Sequence, residues 1–227
     1  MKSKAKFKLK KLVIFKTKGF ALSLIALGII GLAISSWLYY RQQPANLVNA
    51  GPTSPESTNA QPPPSTVKPT PKKIATYTVA PDLPKYISIP AIGVNQARVM
   101  KLGLLSNDQI AAPDNVYDAG WYDGSAKPGQ PGAMFIYGHL DGLNVAGIFW
   151  NLKKLQSGDR VIITRGDNKQ FVYKVDATKV YPVNKVDMSA VLSPYKTGVP
   201  GLNLMTCTGK LVGYHYQSRL VVFTSQL

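Results

Sequence analysis

From Pro84 to the end of the chain, short β-type runs follow one another, broken by glycine and proline, with no βαβ rhythm between them. That pattern excludes a doubly wound α/β fold and leaves an all-β sandwich or a closed barrel. A barrel has the advantage of leaving no exposed strand edge. Tyr86–Ile89 alternates and stops at Pro90, residues 97–102 form a second run, and Met134–Tyr137 is strongly apolar. Residues 159–164 and 170–175 flank Gly166-Asp167-Asn168, a hairpin signature, and residues 179–183 continue the second arm. Residues 202–206 and 220–224 close the chain. A short helix or turn is expected over Gly147–Leu155, with Phe149 and Trp150 turned inward, and a brief helix over Val186–Leu192. No internal repeat is present.

The 83 residues before this region are of a different kind. Residues 1–18 carry eight lysines, and residues 19–40 carry no charge at all and end in Trp37, Tyr39 and Tyr40. A spanning helix needs about 20 apolar residues, and aromatic rings gather at the headgroup level. The lysine excess on the N-terminal side keeps that side in the cytoplasm. The reading is therefore a basic cytoplasmic tail over 1–18 and an uncleaved signal anchor over 19–40. The alternative is a cleaved signal peptide, for which Val48-Asn49-Ala50 is a weak site lying well past the apolar run. Residues 41–83 are rich in Pro, Ser and Thr, as in Pro62-Pro63-Pro64, and read as a spacer too poor in apolar surface to form a core. A proline-dependent binding site is the alternative there.

Charge bears on function through its placement. Residues 1–84 hold 12 Lys+Arg against two acidic residues, and residues 85–227 hold 15 against nine. The net charge of +16 is thus concentrated outside the expected globular part. No helix-turn-helix, zinc-finger or RNA-binding aromatic pattern accompanies it, so nucleic acid is not expected as a partner. The few acidic residues give no case for a metal site, and no cofactor is expected.

The chain has one cysteine, Cys207, which excludes an internal disulfide framework. An unpaired thiol on an exported protein is prone to oxidation, so its presence asks for a reason. A buried small hydrophobe is the alternative. Leu204-Met205-Thr206-Cys207 reads as the end of a strand, with Thr208-Gly209 as the turn that stops it. Arg219 sits in a second strand, and His139 ends a third, Met134–His139. A thiol, an imidazole and a guanidinium at strand ends are the parts of a cysteine acyl-transfer site. Cys207 is the candidate nucleophile, His139 the proton donor and acceptor, and Arg219 the group that holds the substrate carbonyl and its oxyanion, since it cannot act as a base. Thr206 and Thr208 are candidate substrate contacts. The other histidine, His215, falls in a turn, Gly213–Tyr216, and reads as an exposed loop residue. Asp141 is a candidate to orient His139, although spacing alone does not establish that contact.

The order His139, Cys207, Arg219, with Gly138-His139 closing one strand and Leu204-Met205-Thr206-Cys207 closing another, resembles the sortases. The resemblance covers residues 84–227. It extends to Ala119-Gly120-Trp121-Tyr122, to Lys127-Pro128-Gly129-Gln130-Pro131-Gly132 and to the segment from Leu152 to Gly158-Asp159, and it is nearest to their class E or F branches. It implies a closed eight-stranded β-barrel with short helices and a membrane-anchored enzyme outside the cell. The implied reaction is cleavage of an LPxTG-like sorting motif between Thr and Gly through a Cys207 thioacyl intermediate. The acyl group then passes to an amine of the cell envelope, and the partners are secreted proteins bearing that motif. One departure is Asn203, where the family's Thr-Leu-x-Thr-Cys begins with Thr. This bears on fine specificity more than on chemistry. There is also no C-terminal hydrophobic anchor of the kind found in pilin-polymerising members.

Other readings remain. An L,D-transpeptidase expects Ser-His-Gly-Cys, and Met205-Thr206 precede Cys207 here. A papain-like hydrolase has its cysteine before its histidine. A membrane-tethered binding module of sortase-like shape is the non-enzymatic alternative.

Overall fold

The computed structural model describes residues 61–227. The basic tail and apolar anchor expected over residues 1–40 lie outside the described residues. Among the described residues no helix is long and apolar enough to cross a membrane.

The strands are β1 (Pro84–Ile89), β2 (Val94–Leu102), β3 (Ala119–Tyr122), β4 (Ala133–Gly138), β5 (Asp141–Gly142), β6 (Val145–Ala146), β7 (Arg160–Arg165), β8 (Gln170–Pro182), β9 (Gly201–Val212) and β10 (His215–Gln226). Eight of them close a barrel in the order β1-β2-β3-β4-β9-β10-β8-β7, and β5 with β6 makes a separate two-stranded ribbon. The expected eight-stranded closed barrel is therefore present. Most pairs are antiparallel, while β2 with β3 and β4 with β9 run parallel. A parallel pair needs a long crossover. Between β4 and β9 that crossover holds β5 to β8, so two residues 70 positions apart, such as Tyr137 and Cys207, come together.

Alternation along the strands makes two apolar faces. Met134 and Ile136 of β4, Leu202 and Leu204 of β9, and Leu220 and Val222 of β10 point into the barrel core. Phe135, Val221 and Phe223 point the other way and form a second cluster with Tyr181 and Val191, against which Tyr137 and Met205 pack. This outer cluster is covered by the segment after β8. Its short helix α2 (Met188–Val191) is N-capped by the Asp187 carboxylate, which accepts from the Ala190 amide at 3.0 Å.

Two sequence expectations change. Thr208-Gly209 does not stop β9, which runs on to Val212 and turns back at Gly213-Tyr214. Both turn residues have positive φ, 54° and 65°, as a two-residue hairpin of the twist-matched kind requires. Gly209, with φ 83°, sits beside a register shift between Tyr216 and Ser218 and accommodates a bulge where a turn was expected. Segment 147–155 is a turn ending in one 3₁₀ turn at Leu152–Lys154. It buries Phe149 completely, but it leaves Trp150 45% exposed.

The chain before β1 lies on the barrel from Gln61 onwards. Gln61 pairs both ways with the Ala112 backbone, donating to its carbonyl at 2.6 Å and accepting from its amide at 2.8 Å. The Ser65 amide donates to Asp114 O at 2.7 Å, and the Val116 amide donates to Ser65 O at 3.0 Å. The Asn115 side chain donates to Val67 O at 2.8 Å. Helix α1 (Pro71–Ala75), capped by Thr70, follows, and Tyr77 donates its hydroxyl to Val99 O of β2 at 2.7 Å.

Candidate active site

The parallel ladder between β4 and β9 runs from Ala133 opposite Gly201 to Tyr137 opposite Met205. Beyond it, β4 ends at Gly138 while β9 continues, paired only with β10. Cys207 therefore lies where β9 loses one neighbour and keeps the other. Its cross-strand partner on β10 is Arg219, so the thiol and the guanidinium stem emerge side by side on one face. His139, two residues past Tyr137 and just beyond the end of β4, follows the same face. The structure thus assembles His139, Cys207 and Arg219 from three neighbouring strands, at mid-strand for Cys207 and Arg219 and not at the strand ends expected from sequence. All three are partly exposed.

Close backbone packing holds the histidine in place. A Cβ at Gly138 would meet Phe149 Cδ2 at 2.5 Å, and one at Gly147 would meet His139 O at 2.4 Å, so both neighbours of the His139 backbone need to be glycine. The Phe149 amide donates to His139 O at 3.0 Å. The ring itself is fixed by the Pro113 carbonyl, 2.7 Å from Nε2. A carbonyl can only accept, so Nε2 donates to it and Nδ1 is the ring nitrogen left to the site. Asp141, the sequence candidate for orienting this ring, instead accepts a hydrogen bond from the Tyr216 hydroxyl of β10. That carboxylate, with burial adding to its effect, pushes the Tyr216 phenol up to about 12.

Arg219 donates from Nη1 to its own strand, to Tyr216 O and Ser218 O at 3.0 Å each, across the register shift. Its Nε and Nη2 make no hydrogen bond among the described residues. Cys207 is the one free thiol, and its hydrogen-bond partner is Tyr137, whose hydroxyl oxygen lies 3.3 Å from Sγ. Sequence reading did not single out Tyr137. The signal was available, because a residue two before His139 on a strand must share its face.

Thr206 is on the opposite face from Cys207. It is 1% exposed, and its hydroxyl donates to Gly138 O at 2.8 Å, tying the end of β4 to β9. Thr208 pairs with Ser218 and is partly exposed. His215 starts β10 opposite Val212 and is exposed, and its carbonyl accepts from the Gln217 side chain at 2.9 Å. Asn203 is fully buried, and its amide nitrogen donates to Val191 O at 2.8 Å and Ser193 O at 2.9 Å, pinning the α2 segment. Among the described residues, no cluster of His, Cys, Asp or Glu has the makings of a metal site.

A family model described as a sortase domain matches residues 87–227. The chain is similar to a lid mutant of sortase A from Corynebacterium diphtheriae, with 26% identity and a TM-score of 0.50 over 64% of this chain and 70% of that one. It shares its fold with sortase C of Streptococcus pneumoniae, at 22% identity and a TM-score of 0.50 over 71% and 74% of the two chains. It does so too with the pilus-related sortase C of Group B Streptococcus, at 24% identity and a TM-score of 0.50 over 66% and 70%. No curated protein matches the chain.

Proposed function

Because this chain belongs to the sortase family of cysteine transpeptidases, we propose that it cleaves an LPxTG-like sorting motif between Thr and Gly and passes the acyl group to an amine of the cell envelope. The observation that carries this reading is the direct pairing of Cys207 with Arg219 across β9 and β10, beside His139 on the neighbouring strand.

In this reading the Cys207 thiol passes its proton to His139 Nδ1, and the sulfur attacks the carbonyl carbon of the motif's Thr. As the S–C bond forms, the carbonyl electron pair moves onto oxygen, where the unpaired Nε and Nη2 donors of Arg219 hold it. The intermediate collapses, the C–N bond breaks, and the leaving Gly amine takes a proton from His139. With Nε2 engaged by the Pro113 carbonyl, that proton belongs on Nδ1. An incoming amine then attacks the thioester, gives its proton back to Nδ1, and displaces the Cys207 thiolate. Thr206 acts through Gly138 by holding the strand end that carries His139, while Thr208 stays a candidate substrate contact. The class E or F likeness, the anchor over residues 19–40 and the extracellular placement of the catalytic domain belong to the same proposal. They rest on the sequence alone. The alternatives are another exported cysteine acyltransferase or hydrolase, or an inactive sortase-like binding module.

The test is intact-mass measurement of the full chain incubated with peptides carrying Leu-Pro-x-Thr-Gly variants, with and without an added amine. An acyl adduct on Cys207 that an amine discharges supports the proposal. An adduct discharged only by water points to a hydrolase, and no adduct with any peptide points to the binding module.

A further inference from the structure

Tyr137 stands in a position that the acid–base role of His139 and the oxyanion role of Arg219 leave unused. Its hydroxyl is 3.3 Å from Cys207 Sγ, and no other hydrogen-bond partner of that hydroxyl is present among the described residues. Its ring lies 6.2 Å from the His139 imidazole, centre to centre, tilted by 56°. The hydroxyl therefore reaches the nucleophilic sulfur from β4, beside the strand that carries it. We propose that Tyr137 is a further catalytic residue of this sortase, its O–H donating to the Cys207 sulfur and stabilising the negative charge that the sulfur carries as thiolate.

The direction of the hydrogen bond follows from the chemistry of the two groups. A thiolate can only accept, and a thiol is a weak donor. The phenol is held protonated: burial pushes it well above its ordinary value, the neighbouring sulfur adds to that, and the Arg219 charge offsets part of it. A hydrogen bond made to the charged form of a group favours that form. The groups around the sulfur are Tyr137 from the β4 side, with the His139 ring beside it, and Arg219 and Tyr216 from the β10 side. Two of these, His139 and Arg219, bear or can bear positive charge. Tyr216 is tied to Asp141. Tyr137 is thus the group already hydrogen-bonded to sulfur before any substrate arrives. The proposal rests on the transpeptidase reading only for the use made of the thiolate.

Cys207 is the only cysteine, so alkylation by iodoacetamide, followed by intact mass in the full chain across pH, reads this sulfur directly and needs no substrate. Tyr137→Phe removes one oxygen and keeps the ring. The variant's half-maximal pH is expected to rise by about one unit. Because thiolate nucleophilicity falls with basicity at a slope of about 0.4–0.5, its plateau rate at high pH should then exceed wild type by roughly threefold, and its rate near neutral pH should fall roughly threefold below. That crossing of the two curves is a signature that loosened packing does not produce. The shape-conserving counterpart, 3-fluorotyrosine at position 137, makes the hydroxyl a stronger donor and should move the midpoint down. Superimposable curves for wild type and both variants would overturn the proposal, as would a drop in rate at every pH without a shift in midpoint. Failure of every sorting peptide to acylate the wild type would remove the transpeptidase reading and leave this comparison intact.

Discussion

Cys207, His139 and Arg219 each have a separate effect to measure, with His215 as the control. Cys207→Ala removes the only thiol, so acyl-enzyme should vanish from the mass spectrum while circular dichroism stays that of a folded barrel. His139→Ala should lower turnover of a sorting-type peptide by about 10²–10⁴-fold, the usual contribution of general acid–base catalysis. His215→Ala should leave it near normal, since that residue is exposed at the start of the hairpin and its contact is through its backbone. Arg219→Lys keeps the charge and loses the planar fork. It should fall short of wild type by up to roughly 10²–10³-fold, the scale of one lost oxyanion donor. The pH–rate profile should be a bell that belongs to the coupled Cys–His pair and to neither group alone. A dead His215→Ala beside a working His139→Ala would reverse the assignment of the base, and an Arg219→Lys equal to wild type would reduce that residue to its charge. These three side chains were legible because residue type and strand context pick them out. The Pro113 carbonyl that fixes His139 was not, because a backbone acceptor from a distant loop leaves no mark on residue types.

At the scale of elements, the site is a consequence of unequal strand lengths. β4 stops at Gly138, and β9 and β10 run on as a hairpin to Gly213-Tyr214. The sequence reading ended β9 too early because Thr-Gly is a common turn, and here Gly209 forms a bulge inside a longer ladder. Asn203 shows a second limit. As a departure from the family pattern it pointed to specificity, and the structure finds it wholly buried, joining the barrel wall to the α2 segment. Asn203→Ala leaves the Val191 and Ser193 carbonyls short of a donor in a buried place. Each unmade buried hydrogen bond costs about 1–3 kcal/mol, so the variant should unfold in urea at a lower midpoint, with a loss on the order of 2–4 kcal/mol. Asn203→Thr, which restores the family's residue type, reaches at most one of the two carbonyls and should recover only part of that loss. An unchanged midpoint in Asn203→Ala would mean that the α2 segment is held by its apolar contacts alone.

The whole molecule couples the stretch before the barrel to the chemistry inside it. The proposed single-pass topology predicts that protease added to intact cells removes the domain carrying Cys207, and protection of that domain would refute it. Nearer the site, residues 61–69 read in the sequence as spacer because their composition is polar and proline-rich, and composition is blind to contacts made through backbone and amide groups. Those contacts are specific: Gln61 to Ala112, Ser65 to Asp114 and Val116, Val67 to Asn115. They grip the loop on both sides of Pro113, whose carbonyl holds His139 Nε2 at 2.7 Å. Loosening the grip should therefore act on the imidazole from a distance. In the double variant Gln61→Ala/Ser65→Pro, the first change deletes the paired amide and the second deletes the Ser65 donor to Asp114. These contacts lie at or near the surface, so the urea midpoint should move little. A misplacement of about 1 Å at a catalytic group costs up to about 10²-fold, and a loosened carbonyl should cost less, on the order of tenfold in kcat/KM. The loss should be greatest on the limb of the pH profile that reports the histidine, because without a fixed acceptor Nε2 no longer holds its proton in one tautomer. Kinetics identical to wild type, with the fold intact, would show that Pro113 keeps its position without these contacts, and that the segment only rests on the barrel.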